Sequence, residues 1–116
     1  MERRLRLRRT ADFERVRREG RSWPSRLAVL IAHPNGLDWT RVGVTASRRV
    51  GGAVARNRAK RLLRESTSHL HPRLHPGWDL VLVARAAILE VSESQLRDVL
   101  GELTEQAGLM LGQAVS

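Results

Sequence analysis

Apolar positions change their period several times along this chain, and each change marks an element. From Val54 onward, at about 100° per residue, Val54, Ala55, Ala59, Leu62 and Leu63 cover one side of a wheel and Arg56, Asn57, Lys60, Arg61 and Arg64 the other, which predicts an amphipathic helix ending in the His69 to Pro76 stretch. Leu27 to His33 (LAVLIAH) and Arg41 to Ser47 (RVGVTAS) read as strands separated by the turn signal Pro34-Asn35-Gly36, and they are expected to pair antiparallel. Asp79 to Arg85 (DLVLVAR) is a third strand whose near-continuous apolar run predicts a central position, buried on both faces. Upstream, Thr10 offers an N-cap to a short helix that closes at Gly20, with Phe13 and Val16 facing inward as core. Downstream, Ser92 caps a last helix with Leu96, Val99, Leu100, Leu103 and Ala107 as its apolar side. One more short strand is expected near Arg21 to Ser25. The order α, β, β, α, β, α, with that extra strand, describes an α+β sandwich: a small mixed sheet of about four strands with three helices, in one domain over residues 1–116. No internal repeat or linker divides it.

Charge changes the picture from a fold to a surface. The chain carries 21 Lys and Arg against 12 Asp and Glu, a net charge of +9, and a pI near 11.7. Residues 1–64 hold 18 of the basic residues and five acids, and residues 65–116 hold three and seven. The first half is therefore the anion-facing half. Residues 1–9 (MERRLRLRR) are expected to form a basic arm, either mobile or an extended lead-in, that condenses on an anion. Between Arg48 and Arg64 there is no acid at all. Asn57, Lys60, Arg61 and Arg64 follow i, i+3, i+4, i+7 spacing and so share one stripe. Like charges at that spacing repel, and a phosphate chain relieves the repulsion through guanidinium forks and counterion release. A solvated surface helix would instead mix signs. The start of this helix follows Arg48-Arg49-Val50-Gly51-Gly52 without a Ser, Thr, Asp or Asn cap, which leaves its first amides open to water or to a phosphate. The Gly and Lys spacing of a P-loop is absent.

Other chemistries find little support. The chain has no cysteine, which removes disulfides and thiolate metal sites and fits a reducing compartment. No apolar run reaches the length of a membrane span, and the basic N-terminus lacks the apolar core of a signal peptide, so the expectation is a soluble cytoplasmic protein without a membrane partner. His69, His71 and His75 have a spacing that resembles metal ligands, but Pro72 and Pro76 interrupt them and no carboxylate joins them. No metal is assigned to them. The acids are scattered, so no catalytic residue of the polypeptide's own is expected. With Phe13, Trp23, Trp39 and Trp78 as its only aromatics, the chain is not built as a stacking platform. Its contacts should run to phosphate and 2′-OH groups of RNA, with no DNA partner expected.

The segment RVGVTASRRVGGAVARNRAKRLLRE resembles the signature of the bacterial ribonuclease P protein component, and the resemblance extends upstream to RLRRTADFERVRREG and downstream to DLVLVAR. It implies a left-handed β-α-β crossover through the basic helix, against the general preference for right-handed ones. It implies that the chain joins a large catalytic RNA to remove the 5′ leader of precursor tRNA, with Mg²⁺ bound by the RNA and hydrolysis performed there. Residue by residue, Arg56, Asn57 and Arg58 match the Arg-Asn-Arg motif, Lys60, Arg61 and Arg64 the helix face turned to the catalytic RNA, and Ser47, Arg48 and Arg49 a Ser-Lys-Lys turn with Arg for Lys. Phe13 matches the first aromatic of the cleft that holds the leader. Arg17 stands where a second aromatic is common and Ile31 where a strand Tyr is common, so leader binding here should rest more on charge than on stacking. Two other classes share the charge or the chemistry but fit the motifs less well. A ribosomal-type protein has no need of both motifs, and a free-standing nuclease needs an acid and base pair.

Overall fold

The computed structural model describes residues 1–112. Helix α1 spans Thr10–Glu19, strands β1, β2 and β3 span Arg21–Pro24, Ala28–Pro34 and Arg41–Ala46, and α2 spans Ala53–Leu70. Strand β4 (Trp78–Ala84) and helix α3 (Glu93–Gln106) follow. The sheet runs β1-β2-β4-β3, antiparallel between β1 and β2 and between β2 and β4, and parallel between β4 and β3. Helix α2 connects the two parallel neighbours.

The expected antiparallel pairing of the second and third strands is therefore not formed, because β4 lies between them. The reason is burial. Leu80 and Leu82 point to one face and Val81 to the other, and all three are at most 3 % exposed. A hairpin of β2 with β3 would push that two-sided apolar strand to an edge. The Asn35-Gly36 turn does form, with Gly36 at φ +71° and the Leu37 amide donating to Asn35 Oδ1 at 2.8 Å. It carries the chain past the end of β4, where the Asn35 amide donates to the Gly77 carbonyl.

Strand alternation divides the core in two. Leu30, Val42, Val44, Leu80 and Leu82 meet Ala59, Leu63 and Leu70 of α2 and Leu96, Leu100 and Leu103 of α3. On the opposite face Ile31 and Val81 meet Leu7 and Val16, with Phe13, Val29 and Val83 partly buried around them. Two glycines permit the approach of α1. A Cβ on Gly43 would come 2.5 Å from the Phe13 ring, and one on Gly20 would come 2.5 Å from the Val16 carbonyl and 2.8 Å from that of Ala32.

Two local expectations need correction. Thr10 is the first residue of α1 and not its cap. Arg9 occupies that position without a side-chain bond. Val54 is 85 % exposed instead of belonging to the dry side. It lies about 180° from Leu63 at 100° per residue, and the buried arc of α2 centres on Ala59, Leu63, Ser66, Thr67 and Leu70. Ser66 and Thr67 are buried although polar, and the Thr67 hydroxyl satisfies itself on the Leu63 carbonyl one turn back. Of the two forms expected for the basic arm, mobile or an extended lead-in, it takes the second and rests on the sheet edge. Leu7 is buried, its amide donates to the Val42 carbonyl at 2.9 Å, and Trp39 Nε1 donates to the Arg4 carbonyl. At the other end Ser92 caps α3 as expected, in a reciprocal capping box with Gln95.

Candidate nucleic-acid interface

Strand β3 delivers the chain to Ser47, and a single 3-10 turn over Arg48–Val50 follows. Val50 is buried, so the turn is pinned by its third residue while Arg48 and Arg49 project outward, exposed. Gly51, at φ +141°, then reverses the backbone in a region a side chain would resist. Gly52 forms the N-cap of α2 with no side-chain bond to the first amides. Along α2, Asn57, Arg58, Arg61 and Arg64 are exposed, and Arg56 and Lys60 are half-buried at its inner margin. Arg56, Asn57 and Lys60 line a hollow of about 330 Å³ with Thr45, Ala46 and Ala53 at the end of β3. The structure thus brings the Ser47 to Arg49 turn and the basic helix together at one end of the sheet. Arg58 stands about 100° around the helix from Asn57 and falls outside the stripe.

The arginine ion pairs of the described residues lie on other side chains. Arg4, Arg15, Arg18, Arg26 and Arg41 each sit within 4.0 Å of a carboxylate. Among the described residues, none of Arg48, Arg49, Arg56, Arg58, Lys60, Arg61 and Arg64 forms an ion pair. No carboxylate of the described residues compensates their charge at ion-pair distance.

The leader-cleft candidates share the opposite face of the sheet. Phe13 lies half-buried over Gly43, Ile31 is buried beneath α1 at 8 % exposure, and Arg17 is exposed on α1. Ile31 is floor and not open lining. Beyond α1 this apolar face continues to Val29 and Val83, which remain partly open. Sequence reasoning missed both, although they lie two residues from Ile31 and Val81 on the same side of their strands.

It also missed a buried ionic clamp. Asp79 is 1 % exposed. It accepts from Arg41 Nε at 2.8 Å and Nη2 at 2.7 Å, and from Asn35 Nδ2 at 3.0 Å. Arg15 of α1 approaches it at 3.9 Å and bonds to Asp12, which itself lies 3.8 Å from Arg41. The hydrogen bond to Asp79 raises the Arg41 pKa above its ordinary value, more than burial lowers it. A cluster of this kind fixes geometry more than it stabilises. Here it ties α1 to the starts of β3 and β4 and so sets where Phe13 lies. An Asp and an Arg heading two apolar strands were its only trace in the sequence. The histidines take another role: His71 Nε2 is 2.7 Å from the Thr40 carbonyl, while His69 is exposed.

A family model described as Ribonuclease P matches residues 1–108. The chain belongs to this family. The ribonuclease P protein component of Roseiflexus castenholzii is 41% identical over 113 residues, covering 97% of this chain and 93% of that protein. That of Chloroflexus aurantiacus is 43% identical over 111 residues, covering 95% and 82%. Among solved structures, the RNase P protein of Staphylococcus aureus superposes with a TM-score of 0.80 at 27% identity over 91% of this chain and 97% of that one. The RNase P protein from Thermotoga maritima gives 0.76 at 30% identity over 86% and 96%. As a ribonuclease P protein the chain is an RNA-binding component of a ribonucleoprotein endoribonuclease in tRNA processing. Among the described residues no helix is long and apolar enough to cross a membrane.

Proposed function

We propose that this ribonuclease P protein docks on the catalytic RNA subunit through Ser47, Arg48, Arg49 and the outer face of α2, and guides the 5′ leader of precursor tRNA along the α1 face of the sheet. Hydrolysis then belongs to the RNA and the Mg²⁺ it holds. One observation carries this reading: a basic stretch from Arg48 to Arg64 that contains no acid and whose cations, among the described residues, form no ion pair. Guanidinium forks match phosphate oxygens, and each contact releases condensed counterions. The partly open Val29 and Val83, with Phe13 beside them and Arg17 on α1, offer an apolar bed with a cation nearby. The leader is held there mainly by charge and shape.

The test is reconstitution at low Mg²⁺ with precursor tRNA and the protein alone, the RNA subunit alone, or both. Cleavage by the RNA is expected to rise when the protein is added, with none by the protein alone. Cleavage by the protein alone, or no stimulation of the RNA, would overturn the proposal.

A further inference from the structure

The outer edge of β3 carries a second basic feature. A hollow of about 330 Å³ opens there, with Leu7, Phe13 and Val42 in its floor and Arg6, Arg8 and Arg64 around it, and no carboxylate in its lining. The three arginines come from separate places: Arg6 and Arg8 from the N-terminal segment and Arg64 from α2. All three are exposed, and none is ion-paired among the described residues. Leu7 explains their position. It is buried, and Arg6 bridges Val42, so in this extended stretch the residues on either side of Leu7 are turned outward. Trp39 holds the segment further back, through the Arg4 carbonyl and a ring contact with the Arg4 guanidinium.

We propose that this hollow is a second RNA site, which takes one unpaired nucleotide of the RNA subunit with its base against the apolar floor and its phosphates among Arg6, Arg8 and Arg64. The inference rests on α2 being the docking face. Arg64 is the link: it follows Lys60 and Arg61 on one stripe and also lines the hollow, so a strand tracking α2 runs into it. The volume lies in the range of small-ligand sites, too small for a duplex. Because the segment is already anchored, little backbone ordering opposes binding.

The experiment compares the native protein, an Arg6→Ala/Arg8→Ala pair, an Arg6→Lys/Arg8→Lys pair and a Lys60→Ala/Arg61→Ala pair. Affinity for the ribonuclease P RNA subunit is measured across a salt series, with thermal melts, and holoenzyme affinity is measured for precursor tRNA with and without a leader. The Ala pair at 6 and 8 is expected to melt as the native protein does, to bind the RNA subunit roughly tenfold more weakly, and to lower the salt slope by about two. The Lys pair should keep the slope and lose part of the affinity, since it retains charge and loses the fork. Unchanged RNA affinity in the Ala pair, with the Lys60 and Arg61 pair still impaired, would overturn the site and leave α2 standing. Unchanged affinity in both would remove the docking face as well. A loss confined to leader-bearing substrate would give the hollow to the leader and overturn this assignment. Equal losses in the Ala and Lys pairs would show that charge is not the cause and overturn it too.

Discussion

Lys60, Arg61 and Arg64 differ from Arg41 in one respect: Arg41 is held by a buried carboxylate, and among the described residues they are held by none. Replacing any one of the three by Ala is expected to lower the salt slope of RNA binding by about one while the melting temperature stays put. A salt titration of each variant checks this, and an unchanged slope would place that side chain in solvent. Phe13 packs against the core and also lies on the face proposed for the leader. Phe13→Ala should destabilise by about 2 kcal/mol, less than a fully buried Phe because the ring is half-buried, and should reduce the preference for leader-bearing substrate. Chemical denaturation and paired binding assays separate the two effects. At this scale the basic residues were legible because charge needs no tertiary information. Val54 was misread because a wheel anchored on it admits too wide an arc, and the true inner arc includes the polar Ser66 and Thr67.

Among the elements, α1 depends most on a contact that pattern reading could not reach. Its position is set by the Asp79, Arg41, Asp12 and Arg15 cluster, whose members are spread across three elements. Arg41→Ala leaves Asp79 buried with only Asn35 and a distant Arg15 as partners, and is expected to cost about 3 kcal/mol, read by urea unfolding. If stability is unchanged, the cluster is not holding α1. A guanidinium is charged well above neutral pH in any case, and Asp79 raises the Arg41 pKa further, so this contribution is present below the ordinary guanidinium value and fades only as pH rises through the still higher folded one. Element types and approximate bounds were readable from period and turn chemistry. The neighbour relations of the strands were not, since two runs flanking a Pro-Asn-Gly turn look like a hairpin until the more apolar β4 claims the centre.

At the scale of the whole molecule, the feature with the widest reach is that β4 lies between β2 and β3. Neither flanking strand has the other to lean on, and α2 must already be spanned before the keystone strand arrives. During synthesis, then, the basic helix leaves the ribosome after β3 but ahead of β4 and α3, which complete the core around its apolar side. A fragment of residues 1–77 is expected to show no cooperative thermal transition by circular dichroism, whereas the full chain melts in one step; a cooperative melt of the fragment would show that β2 and β3 can close without β4. Until that last strand slots home the arginines of α2 are not carried on a closed sheet, so their mutual geometry is completed only when β4 is in place.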